Sequence, residues 1–328
     1  MSKIVITGGG GFIGSHIVEY FKSMKEDIVL VTRKEADIRD REALLKAFQG
    51  ADWVIHNAAM AKDWGHYRDF YENNVEGSLN VLWACKQNSI DKVIMTGSCS
   101  VYGEENCVYT KSEEHSKDSH YPYFMDEWFP CAMNHYRDTK RIASDFAISF
   151  AESENINLTI LDPVWVYGEN EFHTGFYEYL KAVKDGMPIM MGSKENKFHV
   201  IYAKDLARAY YLAYQRDMKG INRFIIGNEQ ADYMDDLYRL FCEKAGLKKP
   251  MNVSKWMMYP IGFLMEFFHT SFGIQSPPLL TRGRVNMFYD NIQYLTKKAN
   301  DVLGFQCEYS LERGIENTVA WYKENGYL

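Results

Sequence analysis

No two cysteines in this chain are spaced C-x-x-C, and none of the six (Cys85, Cys99, Cys107, Cys131, Cys242 and Cys307) falls in a zinc-ligand pattern. This excludes the common zinc modules and a disulfide framework, so a reducing, cytoplasmic setting is expected. Cys85 and Cys242 sit in helix-like patterns and read as buried thiols. Neither do His56, His115, His120, His135 and His199 form a metal-ligand set, and no metal site is expected. Basic residues are not in excess: 37 Lys and Arg stand against 44 Asp and Glu, a net charge of −7 that offers nothing to a nucleic acid. The most apolar run, Trp256 to Phe268, is broken by Pro260 and carries Glu266. It is too short to span a bilayer, although an apolar stretch of this kind can rest on a membrane surface. No Gly/Ser or Pro-rich linker and no internal repeat divides the chain. The first strand begins at once, so no signal peptide is expected ahead of it.

What the chain does have is a strand that ends in glycines. Lys3-Ile4-Val5-Ile6-Thr7 is β-branched and apolar, Gly8 to Gly11 follow, and a helix-compatible run from Phe12 and Ile13 through Gly14 to Phe21 comes next. A dinucleotide site needs this strand–turn–helix order. Gly8 permits the sharp turn, Gly11 lets backbone approach a pyrophosphate, and Gly14 lets the helix pack on the strand. The helix N-terminus presents unpaired N–H groups to the phosphates.

Strand and helix patterns then alternate. Strands are expected at 27–32, 52–56, 91–96 and 157–161, with helices at 43–48, 67–87 and 134–153 between them. This pattern predicts an α/β chain with a doubly wound parallel sheet of the Rossmann kind. After Pro163 the pattern loosens: a helix at 176–184, short strands at 188–190 and 199–201, a helix at 204–214 and a strand at 223–226. The last hundred residues read as mainly helical. The expected organisation is a dinucleotide-binding domain over 1–165, to which 199–227 returns, and a smaller, mostly helical substrate lobe over 166–328 interwoven with it.

Ser98 follows the fourth strand, whose C-terminal end borders the nucleotide crevice in such a sheet. A serine there can hydrogen-bond a substrate oxygen. Downstream, Tyr136 and Lys140 share a helix face, and the cation favours the phenolate, which suits Tyr136 to general acid/base work. With 23 tyrosines in the chain, Y-x-x-x-K arises three times, at Tyr136/Lys140, Tyr177/Lys181 and Tyr294/Lys298. Position distinguishes them: only Tyr136/Lys140 follows the Ser98 strand and opens the helix leading into the fifth.

The chain resembles the extended short-chain dehydrogenases/reductases of the epimerase/dehydratase type. The resemblance rests on Thr7-Gly8-x-x-Gly11-x-x-Gly14; Asp37-Ile38-Arg39-Asp40; His56-Asn57-Ala58-Ala59; Asn73-Asn74-Val75-Glu76-Gly77-Ser78; Ser98 ahead of Gly103; Tyr136-x-x-x-Lys140; Pro163 with Tyr167-Gly168; and Asp205-Leu206-Ala207. It implies that Ser98 and Tyr136 bind the reacting oxygen, that Tyr136 moves the proton and that Lys140 holds the nicotinamide ribose. It further implies Asp37 and Ile38 at the adenine, Ala58 and Ala59 along the cofactor, Asn73 close to it, and the backbone after Pro163 facing the nicotinamide. Members of this family commonly dimerise through the helices flanking the fourth strand, so a homodimer is expected.

Two positions depart from the family pattern. Where NAD-using members carry an acid after the second strand, this chain reads Thr32-Arg33-Lys34, and the Arg33 guanidinium suits a 2′-phosphate. NADP(H) is the favoured cofactor, with NAD(H) the alternative. The other departure is Asp162, where an arginine often precedes the proline; its consequence is not legible in the sequence.

The order of motifs in the C-terminal third is similar to the 3β-hydroxysteroid and sterol dehydrogenase branch and to dihydroflavonol-type reductases. Together with Tyr121, Tyr123, Phe124, Met125, Trp128 and Phe129, it points to a ketone or secondary alcohol on an apolar small molecule. That ring cluster reads either as an apolar lid or as a satellite core under a long loop. Glu113, Glu114, Asp126 and Glu127 would repel a diphosphate if they faced the site, and Lys197 could grip one. A nucleotide-sugar epimerase, dehydratase or reductase is the alternative reading, and a non-catalytic nucleotide-sensing or RNA-associated relative that keeps the fold is a third.

Overall fold

The computed structural model describes residues 2–328 apart from 104–108, Ser116, Thr174 and Met191, so Cys107 lies outside the described residues. The first half alternates as its sequence predicts. β1 (Lys3–Thr7) leads to α1 (Phe12–Ser23), β2 (Asp27–Val31), α2 (Arg41–Ala47) and β3 (Trp53–His56). The expected single helix over 67–87 is three pieces: α3 (Tyr67–Phe70), a π-helical stretch (Tyr71–Glu76) and α4 (Gly77–Gln87). β4 (Lys92–Thr96), a short 3₁₀ turn (Cys99–Tyr102), α5 (Ala132–Glu154) and β5 (Asn157–Pro163) complete the half. β5 runs two residues beyond its predicted end and so includes Asp162.

The second half holds β6 (Trp165–Tyr167), α6 (Phe176–Lys184), β7 (Ile189–Met190), β8 (Lys197–Phe198), β9 (Val200–Tyr202), α7 (Ala203–Arg216), β10 (Ile221–Ile226) and β11 (Asp232–Tyr233). It continues with α8 (Met234–Ala245), β12 (Met251–Asn252), α9 (Lys255–Ser271), α10 (Arg282–Tyr289) and α11 (Leu311–Glu324). The main sheet has six strands in the order β10-β5-β4-β3-β1-β2, all parallel. β10 therefore returns to the sheet after a long excursion. Its outer edge is covered in part by Glu113, whose Oε1 accepts the Ile225 N–H at 2.8 Å.

Strand chemistry explains the layers. Ile4, Val5 and Ile6 are all fully buried, as a strand covered on both faces requires. Ile4 and Ile6 join the core shared with α1 and α7, while Val5 joins the opposite core with α2, α4 and α5. β1 lies between β2 and β3, so the chain leaves the sheet in opposite directions from β1 and β3. This is the switch point where doubly wound sheets bind ligands.

The aromatic segment over 121–129 is a satellite core. Phe124 packs on Phe263 and Phe129 on Phe267, with ring centroids 5.3 and 4.9 Å apart. Arg282 bonds the carbonyls of Phe124 and Phe129 and pairs with Glu266, both side chains being buried. Glu266 thus has a partner inside the otherwise apolar α9. The helix keeps Trp256, Leu264 and Phe268 exposed. Among the described residues no helix is long and apolar enough to cross a membrane.

Two buried histidines set an acid limit. His56 bridges Thr7 Oγ1 (2.8 Å) and Ser78 Oγ (3.0 Å), and His199 meets the Asn228 carbonyl (2.8 Å) and accepts from the Tyr294 N–H (3.1 Å). Burial depresses His56 to about 3, with Lys140 adding to the effect, and burial depresses His199 to about 4. An unfolded histidine takes its proton near ~6.5, so below that pH the unfolded chain binds more protons and stability falls. Each histidine should cost about 2 kcal/mol by pH ~5. Denaturant titrations at neutral and acid pH should show this loss, and His56→Asn should reduce the slope by roughly one proton.

Candidate active site

The glycine turn is built by close approach. Gly8 has φ of +69°, and a Cβ on it would lie 2.6 Å from the Ala58 amide nitrogen. A Cβ on Gly14 would lie 2.1 Å from the Gly8 carbonyl oxygen. Gly11 is the N-cap of α1 and supplies no side chain, so the amides of Phe12, Ile13 and Gly14 point out of the helix without intrahelical acceptors. Thr7, Gly8 and Ala58 meet here: Thr7 Oγ1 contacts His56 and takes a 3.4 Å bond from the Ala58 N–H, with exposed Ala59 next in the chain. A turn packed this closely, with free amides at a helix N-terminus, fits a dinucleotide pyrophosphate.

Three more of the expected cofactor residues form one cluster beyond β2. Arg33 Nη2 donates to Asn73 Oδ1 at 3.0 Å, and Arg33 Nε lies 3.3 Å from Asp37 Oδ2. Asp37 is also gripped by Arg39 at 3.0 and 2.7 Å, which brings its carboxyl down to about 2 against the effect of burial. Ile38 is buried beneath Gly77. The strand end also holds an acid that the sequence reading passed over. Glu35 turns back onto Thr32, accepting its amide at 2.9 Å and its hydroxyl. The π-helical stretch explains a second omission. Asn73 points towards Arg33, whereas buried Asn74 takes the Met60 N–H at 2.7 Å and donates to Thr139 Oγ1 at 3.1 Å. Asn74 thereby ties the loop after β3 to α5 between Tyr136 and Lys140. A π bulge is often found at such functional positions.

Ser98, Tyr136 and Pro163 line one cavity of about 430 Å³. Ser98 caps the 3₁₀ turn, and its Oγ meets Ser100 Oγ at 2.7 Å. Tyr136 stands in the second turn of α5. Lys140, one turn on, is buried and donates from Nζ to the Thr96 carbonyl at 2.7 Å. Burial lowers its pKa to about 8, with Arg223 adding to the effect and Asp162 opposing it. Neither Tyr177/Lys181 nor Tyr294/Lys298 lines the cavity. His135 packs against Tyr67 and Phe70.

The cavity walls come from both halves of the chain and are mostly apolar: Val164, Trp165, Tyr179, Met258, Leu280 and Phe288 are representative. The principal charged group among the lining residues is the Asp63–Arg284 pair, which joins residues 221 positions apart and is bidentate, with one bond of 3.1 Å. The rings and acids of the 113–129 segment do not line the cavity. Glu113 is spent on β10, and Asp126 on the Cys131 amide and Asn134. The lid expectation for those rings is therefore replaced by packing on α9, and their acids are not positioned to repel a substrate. Lys197 lies over the Tyr233 ring, away from the cavity.

Fold and cradle together define a Rossmann-type dinucleotide-binding protein with a mostly apolar cavity lined by Ser98, Tyr136 and Pro163. A profile of the NAD dependent epimerase/dehydratase family matches residues 4–227, and the chain belongs to that family. It is 25% identical over 338 residues to a 2-alkyl-3-oxoalkanoate reductase of Stenotrophomonas maltophilia, covering 97% of this chain and 98% of that one. It is 26% identical over 375 residues to a decarboxylating sterol-4-alpha-carboxylate 3-dehydrogenase of Saccharomyces cerevisiae, covering 99% of both. Among solved structures, MoeE5 in complex with UDP-glucuronic acid and NAD superposes with a TM-score of 0.77 at 20% identity, covering 99% of this chain and 100% of that one. At that identity the likeness concerns the fold alone.

The cradle makes a direct prediction. Gly14→Ala places a methyl group on the Gly8 carbonyl, so NAD(P)H affinity measured by fluorescence titration should fall at least ~10-fold, corresponding to about 1.4 kcal/mol.

Proposed function

We propose that this chain is an NADP(H)-preferring oxidoreductase that interconverts a ketone and a secondary alcohol on a largely apolar small molecule. The observation that carries the reading is the placement of Ser98 and Tyr136 in an apolar cavity beside the glycine cradle. The bound nicotinamide supplies or accepts the hydride. Ser98 hydrogen-bonds the substrate oxygen. Tyr136 gives that oxygen its proton in the reductive direction and takes it back in the oxidative one. Lys140, charged below about pH 8, stabilises the resulting phenolate. The apolar walls exclude water from the transfer.

Arg33 and Lys34 at the end of β2 support the NADP(H) preference, since a guanidinium already held by Asp37 and Asn73 is set to receive a 2′-phosphate. The cavity supports the apolar substrate. Its arginine, Arg284, is neutralised by Asp63, which leaves Lys62 as the lining lysine without an ion pair among the described residues. A nucleotide diphosphate would find little to hold it there, so the nucleotide-sugar reading ranks second. The relatives' names, an oxoalkanoate reductase and a sterol carboxylate dehydrogenase, describe apolar bodies reacting at an oxygen-bearing carbon. The exposed apolar side of α9, whose Met258 lines the cavity, suits delivery of such a substrate from a lipid surface. A homodimer contact is assigned to the outer faces of α3 and α5, where Tyr67 and Phe146 stay exposed.

Incubation with NADPH and a panel of 2-alkyl-3-oxo acids, sterol ketones and UDP-glucose tests the reading. Loss of nicotinamide absorbance with an apolar ketone, abolished by Tyr136→Phe, is the expected result. Turnover of UDP-glucose without net absorbance change would replace it with the epimerase reading. Arg33→Ala should weaken NADPH binding at least ~10-fold and leave NADH within about 3-fold. Tighter NADH binding by the wild type would transfer the ribose contact to Glu35.

A further inference from the structure

At the floor of the site lies a buried ion pair that does not line the cavity. Asp162, on β5, has no exposed surface. Its Oδ1 accepts the Ser98 N–H at 2.9 Å and Arg223 Nη2 at 3.0 Å, and its Oδ2 accepts the Tyr102 hydroxyl at 2.9 Å and Arg223 Nε at 2.5 Å. One carboxylate therefore clamps both ends of the 3₁₀ turn that carries Ser98. A Cβ on residue 97 would lie 1.8 Å from Asp162 Oδ1, so the carboxylate occupies the space that Gly97 leaves open. Arg223, on β10, lies over the Tyr102 ring at 5.3 Å and reaches Ser144 Oγ at 3.4 Å, one helical turn beyond Lys140.

We propose that Asp162 and Arg223 together form the positioning device of this site: Asp162 holds the Ser98 turn in register with Tyr136 and keeps the charge of Arg223 off Lys140. This inference rests on the assignment of Ser98, Tyr136 and Lys140 to the chemistry. Asp162 acts through Ser98 and Lys140, since it does not line the cavity. The titratable and charged groups around Lys140 are Asp162 on β5, Arg223 on β10, His56 at the end of β3, Tyr210 on α7 through their shared contact with Thr96, and Tyr136 on α5 itself. His56 is neutral in the native state above about pH 3. Burial is the largest influence on Lys140, and the pair adjusts it from both sides. Asp162 favours its protonated form, while Arg223 and burial oppose it.

The two partners act on Lys140 with opposite sign, which separates this role from simple structural damage. Isotope-labelled lysine NMR follows the Lys140 titration without any substrate, and Lys140→Met assigns the resonance. Asp162→Asn should move the midpoint down by about one pH unit or more, and Arg223→Gln should move it up. In the double variant the two shifts should largely cancel, and if one single change fails to fold, the remaining single variant compared with the double carries the test. Midpoints that stay put, or move the same way in both single variants, overturn the proposal. In the assay with NADPH and the active ketone, Asp162→Asn should lower kcat on the order of 100-fold with a smaller change in KM. If Tyr136→Phe retains activity, the assignment of the site has failed. If Tyr136→Phe is inactive while the Lys140 midpoint ignores Asp162, only the positioning role has failed.

Discussion

A carboxylate with no access to water sits between β4 and β10, and the guanidinium that neutralises it comes from the last strand to join the sheet. The Asp162–Arg223 pair spans the β5–β10 ladder diagonally, since Arg223 lies opposite Ile160 and Asp162 opposite Ile225. A slip of β10 by one residue would turn Arg223 to the other face of the sheet and leave Asp162 uncompensated. Removing one partner of such a buried pair costs about 3–5 kcal/mol, a large part of an ordinary domain's stability. Strand register, the Ser98 turn and the ground beneath Lys140 therefore share one electrostatic constraint. Gly97 belongs to it as well, because only a residue without a side chain leaves the carboxylate its place.

The second buried pair, Arg282–Glu266, does comparable work at the far side of the cavity. It joins α9 to α10 and, through the carbonyls of Phe124 and Phe129, fastens the long segment before α5. Asp63–Arg284 closes the remaining gap between the loop after β3 and α10. The cavity is apolar in its walls, yet ion pairs hold those walls in position. The pairs fix the outline that the apolar surface takes.

Local features of the site could be read from the sequence. The glycine turn was legible because each glycine answers a backbone demand within a few residues of itself. Tyr136 was separable from Tyr177 and Tyr294 because strand order places only one Y-x-x-x-K beside the end of β4. Partnerships across the fold were not legible. Asp162 looked like an unexplained departure until Arg223, 61 residues later, was seen beside it. Glu266 looked like an interruption in an apolar run because Arg282 lies in another helix. The rings over 121–129 fitted a lid as well as a satellite core, since composition does not say which surface they cover. Asn73 alone was placed near the cofactor and Asn74 was passed over, and the π-helical stretch separates their directions. The Arg33 neighbourhood was half legible: its charge was evident, but the return of Glu35 onto Thr32 depends on a turn that sequence did not specify.

The return of β10 has a consequence for how such a chain can be divided. The polypeptide leaves the sheet after β5, builds part of the cavity wall, and comes back to complete the sheet edge before the remaining helices form. A piece ending near residue 165 would expose the β5 edge and strand a charged Asp162 in an apolar interior, and the later piece would carry an equally orphaned Arg223. Each half therefore depends on the other for the partner of its buried charge. The cavity faces of α6, α9 and α10 thus stand on a frame that both halves of the chain hold in common.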